Sequence, residues 1–177
     1  MEIDIEPQMK ILLFTLLITL TLHAKQRIIA LSPAINEIIF ALNAEDTLVA
    51  NTEYALYPEA SKKIPKVGGY FSPNLERIVA LKPTLVIMQN NNYKLSLQLQ
   101  RLGIETKVIQ IDTLQNIKDA IKEMGEILKQ SRKAKNIIKN INDGLFQLKN
   151  IVKDKKILIV FGRNQNLNRQ IFVNVII

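Results

Sequence analysis

The stretch Gly68-Gly-Tyr-Phe-Ser-Pro-Asn-Leu-Glu-Arg-Ile-Val-Ala-Leu-Lys-Pro-Thr-Leu-Val-Ile87 decides the fold, because it passes from turn to helix to strand within one short segment. Ser72-Pro73 predicts a helix start, with serine as N-cap and proline at the first helical position. Leu75, Ile78, Val79 and Leu81 then recur at helical spacing and make one apolar face. Lys82-Pro83 ends that helix, since the residue before a proline avoids the helical region. Thr84-Leu-Val-Ile-Met88 follows as a strand.

The same alternation extends outward in both directions. Towards the N-terminus, Arg27-Ile-Ile-Ala-Leu31 predicts a strand, Ser32-Pro33 opens a helix through Asn43, and Thr47-Leu-Val-Ala50 gives the next strand. A connection rich in Pro, Gly and Tyr runs from Asn51 to Ser72. Towards the C-terminus, Tyr93 to Leu102 predicts a helix closed by Gly103, and Thr106 to Gln110 a fourth strand. Asp112 and Thr113 cap a helix with Leu114, Ile117, Ile121, Met124 and Ile127 on its buried side. Short strands separated by amphipathic helices imply βαβ units, so residues 25–130 are expected to form a small, doubly wound parallel α/β lobe. Residues 131–154 carry a long, charged helical pattern, worth ~35 Å at 1.5 Å per residue, and are expected to be a connector. Residues 155–177 open with a predicted strand at Ile157 to Phe161 and are expected to start a second lobe that is truncated, as in a fragment or a frameshifted gene.

Composition excludes several classes of function. The chain has no cysteine, so disulfides, thiolate catalysis and Cys-ligated zinc are ruled out. Its single histidine, His23, follows the apolar run Ile11 to Leu22 and precedes Ala24; with Lys10 in front, residues 1–24 have the proportions of a secretory signal. The acidic residues before Met9 are wrong for such a signal, so Met9 is an alternative start. Export without a lipid-anchored N-terminus, into a periplasm, is the expectation. A naked zinc or copper site is not expected, and neither is a resident cofactor. The 24 Lys+Arg against 16 Asp+Glu lie spread over solvated helix faces, with no nucleic-acid-binding signature beside them. No phosphate-binding glycine turn, nucleophile elbow or paired loop carboxylates are present, so an enzyme is not expected. A basic module for anionic surfaces or acidic partners is the alternative reading.

Arg27 to Phe40 and the opening block Gly68 to Ile87 together resemble the helical-backbone periplasmic binding proteins for cobalamin, haem and ferric siderophores. The spacing between them, with Tyr54 and Tyr57-Pro58, looks most like the cobalamin-binding branch. The resemblance implies two α/β lobes joined by one long helix, a metal-containing organic ligand between them, and delivery to the membrane permease subunits of an ABC importer. Ligands of such sheets sit beyond the carboxyl ends of the strands, where Ser32, Pro33, Tyr54, Gly69, Tyr70 and Gln89 fall. Tyr54 and Tyr70 match positions where cobalamin binders place aromatic rings, and Gly68-Gly69 would let a ligand approach Tyr70. Glu76 matches the family's transporter-docking carboxylate. At Gln89 the cobalamin branch tends to carry an aromatic residue, which leaves cobalamin, haem and siderophore all open.

Overall fold

The computed structural model describes residues 26–89, 92–151, 156–163 and 170–176. The expected signal segment, residues 1–24, lies outside them. The chain divides into two compact units, one of residues up to 37 together with 45–109, the other of 38–44 with the residues from 110 onward.

The first unit is a four-stranded sheet in the order β2-β1-β3-β4, all neighbours parallel. Its strands are β1 (Ile28–Ala30), β2 (Leu48–Asn51), β3 (Leu85–Gln89) and β4 (Glu105–Ile109). Helices α1 (Pro33–Ala41), α2 (Leu75–Ala80) and α3 (Tyr93–Arg101) fall between successive strands. β1 and the Leu85-to-Met88 run of β3 are wholly buried, which is why both read as unbroken apolar runs and not as alternation. Ile29, Leu31, Ala50, Val67, Ile78, Val86, Met88 and Leu99 pack into one core, so strands, loop and helices contribute to the same apolar cluster. The expected doubly wound α/β lobe is present.

Its helix boundaries differ from expectation in two places. α1 stops at Ala41 because Asn43 takes a left-handed backbone, with φ of 57°, and Ala44 N–H closes back on Ile39 O at 3.1 Å. α2 begins two residues after Ser72-Pro73: the N-cap is Asn74, whose Oδ1 accepts from Arg77 N–H at 2.8 Å. Ser72-Pro73 instead completes a turn, with Pro73 bridged to Gly68 and Asn74 N–H donating to Val67 O at 2.7 Å.

In the second unit, α4 (Leu114–Ile127) and α5 (Ser131–Ile151) pack on each other, and β5 (Lys156–Arg163) pairs antiparallel with β6 (Gln170–Ile176). Thr113 caps α4 as expected, accepting from Asn116 N–H at 3.1 Å. Ala120, Ile121, Met124 and Gly125 form the buried face of α4, whereas Leu114, expected there, is exposed. A Cβ on Gly125 would stand 2.4 Å from that of Ala134, so the glycine is what lets the two helices meet. β5 begins one residue before the predicted strand and runs two beyond it.

Candidate ligand-binding site

The order β2-β1-β3-β4 reverses direction between β1 and β3, and the crevice beyond the carboxyl ends of those two strands is where open α/β sheets hold ligands. Ser32 lies just past β1 and Gln89 is the last residue of β3. The Ser32 hydroxyl accepts from Gln89 Nε2 at 2.7 Å. Gln89 Oε1 in turn accepts from the Tyr70 hydroxyl. The glutamine that departs from the expected aromatic is therefore a tie: it crosses from one central strand to the other and fixes the Tyr70 ring. Asn92 Nδ2 adds a bond to Tyr70 O at 3.2 Å.

Around this tie lies an open depression of about 390 Å³, lined by Ser32, Pro33, Ala34, Tyr54, Tyr70, Phe71 and Gln89. Five of the six ligand-binding residues expected from sequence line it; the sixth, Gly69, lines an adjoining depression that shares Tyr54 and Phe71. Phe71, which sequence reasoning passed over, stands edge-on to Tyr70 with ring centroids 4.6 Å apart and planes at 73°. Phe71 is 83% exposed and Tyr54 63%. Rings of this size left in water represent unburied apolar area, and covering it would contribute roughly 25 cal/mol per Å².

Both glycines also have a packing role. Gly68 has φ of 102°, and a Cβ there would lie 2.9 Å from Ser72 O, so the tight turn requires it. Gly69 lies beneath Tyr54, where a Cβ would come within 3.5 Å of the ring's Cε2. The turn thus seats Tyr54 on Gly69 and points Tyr70 and Phe71 at the depression.

Tyr54 rides on the connection between β2 and α2. Its neck is held by Asn51 N–H to Pro65 O at 2.9 Å, Val67 N–H to Asn51 O at 3.0 Å, and Glu53 N–H to Gly68 O at 3.0 Å. The interior of this loop is polar. Asn36 and Asn51, both fully buried, bond side chain to side chain at 2.9 Å, and Asn36 Nδ2 reaches the Ser61 hydroxyl at 2.7 Å. Lys66 Nζ donates to Asn51 Oδ1 at 2.6 Å, Ser61 O at 2.9 Å and Ala55 O at 3.2 Å. Burial of the ammonium lowers its pKa below the ordinary lysine value.

Glu76 is exposed in the first turn of α2 and is not among the residues that line the depression. Among the described residues no three His, Cys, Asp or Glu side chains cluster as a metal site would require, and no helix is long and apolar enough to cross a membrane.

The first unit is a parallel α/β lobe with an open, largely aromatic and aliphatic depression at its switch point. Residues 28–174 match the periplasmic binding protein family, and the chain belongs to that family. It is 41% identical over 123 residues to a vitamin B12-binding protein of Salmonella typhi, a match covering 67% of this chain and 46% of that protein. Among solved structures it is similar to the periplasmic vitamin B12 binding protein BtuF of Vibrio cholerae, with 27% identity and a TM-score of 0.67 over 75% of this chain and 53% of that one. It is similar also to the periplasmic heme binding protein HutB of Vibrio cholerae, at 26% identity and a TM-score of 0.66, covering 80% and 56%. The chain spans about half the length of the relatives it matches.

Proposed function

We propose that this chain belongs to the substrate-binding component of an ABC importer for a metal-containing organic nutrient, acting in the periplasm, with Ser32, Pro33, Tyr54, Tyr70, Phe71 and Gln89 as one wall of the ligand site. The observation that carries the reading is the exposed aromatic depression at the sheet's switch point. Flat macrocycles and metal chelates suit it, because ring faces supply contact area without demanding a charged partner. The relatives' names support cobalamin or haem, and siderophore complexes share the same chemistry. In this reading Gly69 is a supporting residue beside the wall, residues 131–154 are the inter-lobe helix, and residues from 155 begin the second lobe.

Titration of cyanocobalamin, haemin and a ferric siderophore against the protein, followed by absorbance and calorimetry, tests this directly. Stacking on one or two rings contributes about 1–3 kcal/mol, so weak binding of at least one of the three is expected. Tyr70→Ala should abolish it. Failure of all three to bind at millimolar concentration, or binding indifferent to Tyr70→Ala, overturns the ligand class.

Glu76 is proposed as the carboxylate that meets arginines of the importer's membrane subunits. Glu76→Ala should lose no more than ~1 kcal/mol of stability, the amount a first-turn carboxylate supplies. Uptake supported by a full-length version should fall while that stability holds; loss of uptake only in proportion to lost stability overturns the docking role.

A further inference from the structure

The loop from Thr52 to Pro65 has little apolar interior of its own, although it carries one wall of the site. Ala55 and Ser61 are buried, but Tyr54, Leu56 and Tyr57 are exposed by 63%, 57% and 71%. Something other than hydrophobic burial must hold its shape. The bonds named above show what: the buried side chains Asn36, Asn51 and Ser61 all lead to Lys66 in one or two steps. An ammonium has three N–H donors, and here each meets a different oxygen, from the end of β2, from the residue after Tyr54, and from the short 3-10 turn at Glu59–Lys63. All three acceptors are neutral. Asn51 then passes the connection through Asn36 to α1, whose first residue, Pro33, lines the depression. Ser61 O is shared by Lys66 and Asn51, and the Ser61 hydroxyl donates to Tyr57 O at 3.0 Å while accepting from Asn36.

We propose that Lys66 is a positioning residue of the ligand site: its ammonium acts as a built-in cation around which the 52–65 loop closes, and so sets the height of Tyr54 over Gly69. The bond to Ala55 O is the direct link, since that carbonyl belongs to the residue after Tyr54 and anchors the backbone that carries the ring. A cation held by neutral oxygens has no carboxylate to fall back on, so removing it leaves three aligned acceptors facing one another across a gap of the ammonium's size. The geometry is that of a small oxygen cage, and a cage of this kind can be refilled from solution.

The loop-organising part stands on its own, and its consequence for affinity rests on the proposed ligand site; the test separates them. Lys66→Ala should raise amide hydrogen exchange at Ala55 and Leu56 by about tenfold or more, the equivalent of one lost charge-assisted hydrogen bond, with the β3 amides unaffected. Added methylammonium should restore protection, whereas tetramethylammonium, which cannot donate, should not. In a cyanocobalamin or haemin titration, Lys66→Ala should weaken binding about tenfold in the native background and have no further effect when Tyr54→Ala is already present. Unchanged exchange, indifference to methylammonium, or additive effects of the two substitutions would each overturn the proposal. If neither probe binds the native protein, the ligand reading fails while the exchange and rescue results still decide the role of Lys66. Should Lys66→Ala not fold, Lys66→Gln retains two donors and should give intermediate exchange at the same two amides; full native protection there overturns the proposal.

Discussion

The rim of the depression and the loop interior beneath it invert the usual distribution of side chains. Tyr54 and Phe71 leave most of their surface in water, while Asn36, Asn51 and Ser61, in the network that holds the loop, are fully buried. A protein normally does the reverse, since apolar burial is the main favourable term in folding and a buried polar group costs free energy unless bonded. The difference teaches how an aromatic surface is kept open. If the loop were shaped by its aromatic rings, they would be consumed in its own core. Because hydrogen bonds shape it, the rings remain available.

The most direct way to break this contrast is Asn51→Leu. It strips Lys66 of one acceptor and Asn36 Oδ1 of its donor, leaving buried polar groups and part of a charge unpaired. The expected loss is about 3 kcal/mol in urea or thermal unfolding; a loss under 1 kcal/mol would mean that the polar interior is not what holds the loop. Gly68→Ala attacks the neck, forcing a side chain into left-handed backbone against Ser72 O. About 2 kcal/mol is expected on the same assay. A smaller effect sharpens the contrast through pH. Lys66 has a folded pKa below its ordinary 10.5, so between those two values the unfolded chain binds more protons than the folded one, and stability should rise as pH climbs through that window. The Lys66→Met protein should lack this rise. The smallest effect is expected at the rim: Phe71→Ser should change stability by no more than about 0.5 kcal/mol, because the ring is already in water. Appreciable destabilisation there would show that Phe71 serves the fold.

Local patterning made the lobe legible. The apolar runs at residues 28–31 and 84–88, and the helical spacing from Leu75 to Leu81, depend on near neighbours in the chain, and the parallel sheet follows from their alternation. Positions where two reasonable local signals competed were not legible. Ser72-Pro73 has the form of a helix start, yet Asn74 two residues later caps as well, and the bridge from Pro73 to Gly68 decides between them. The candidate site residues came from resemblance, and five of them line one depression, but neither the bonding of Gln89 nor the place of Phe71 was legible. Gln89 read as a lost aromatic until its bonds to Ser32 and Tyr70, 57 and 19 residues away, were visible. Phe71 carried no signal that set it apart from Tyr70 beside it. The Lys66 network was unreadable for the same reason: its bonded members are separated by 4 to 25 residues, and only the folded loop brings them together.

The paired glycines of the turn also bear on how such a surface can diversify. Substitution at Gly68 is closed off by its backbone, but at Gly69 the space above is an ordinary 3.5 Å contact with the Tyr54 ring and with the Ser72 side chain. A methyl there would meet the ring without disturbing the turn, and larger groups would tilt it progressively. One codon therefore grades the depth of the depression while the sheet, the neck and the Lys66 network stay as they are. A lineage drifting towards a new cargo has at Gly69 a dial it can turn in small steps, and at Gly68 a stop that keeps the dial in register.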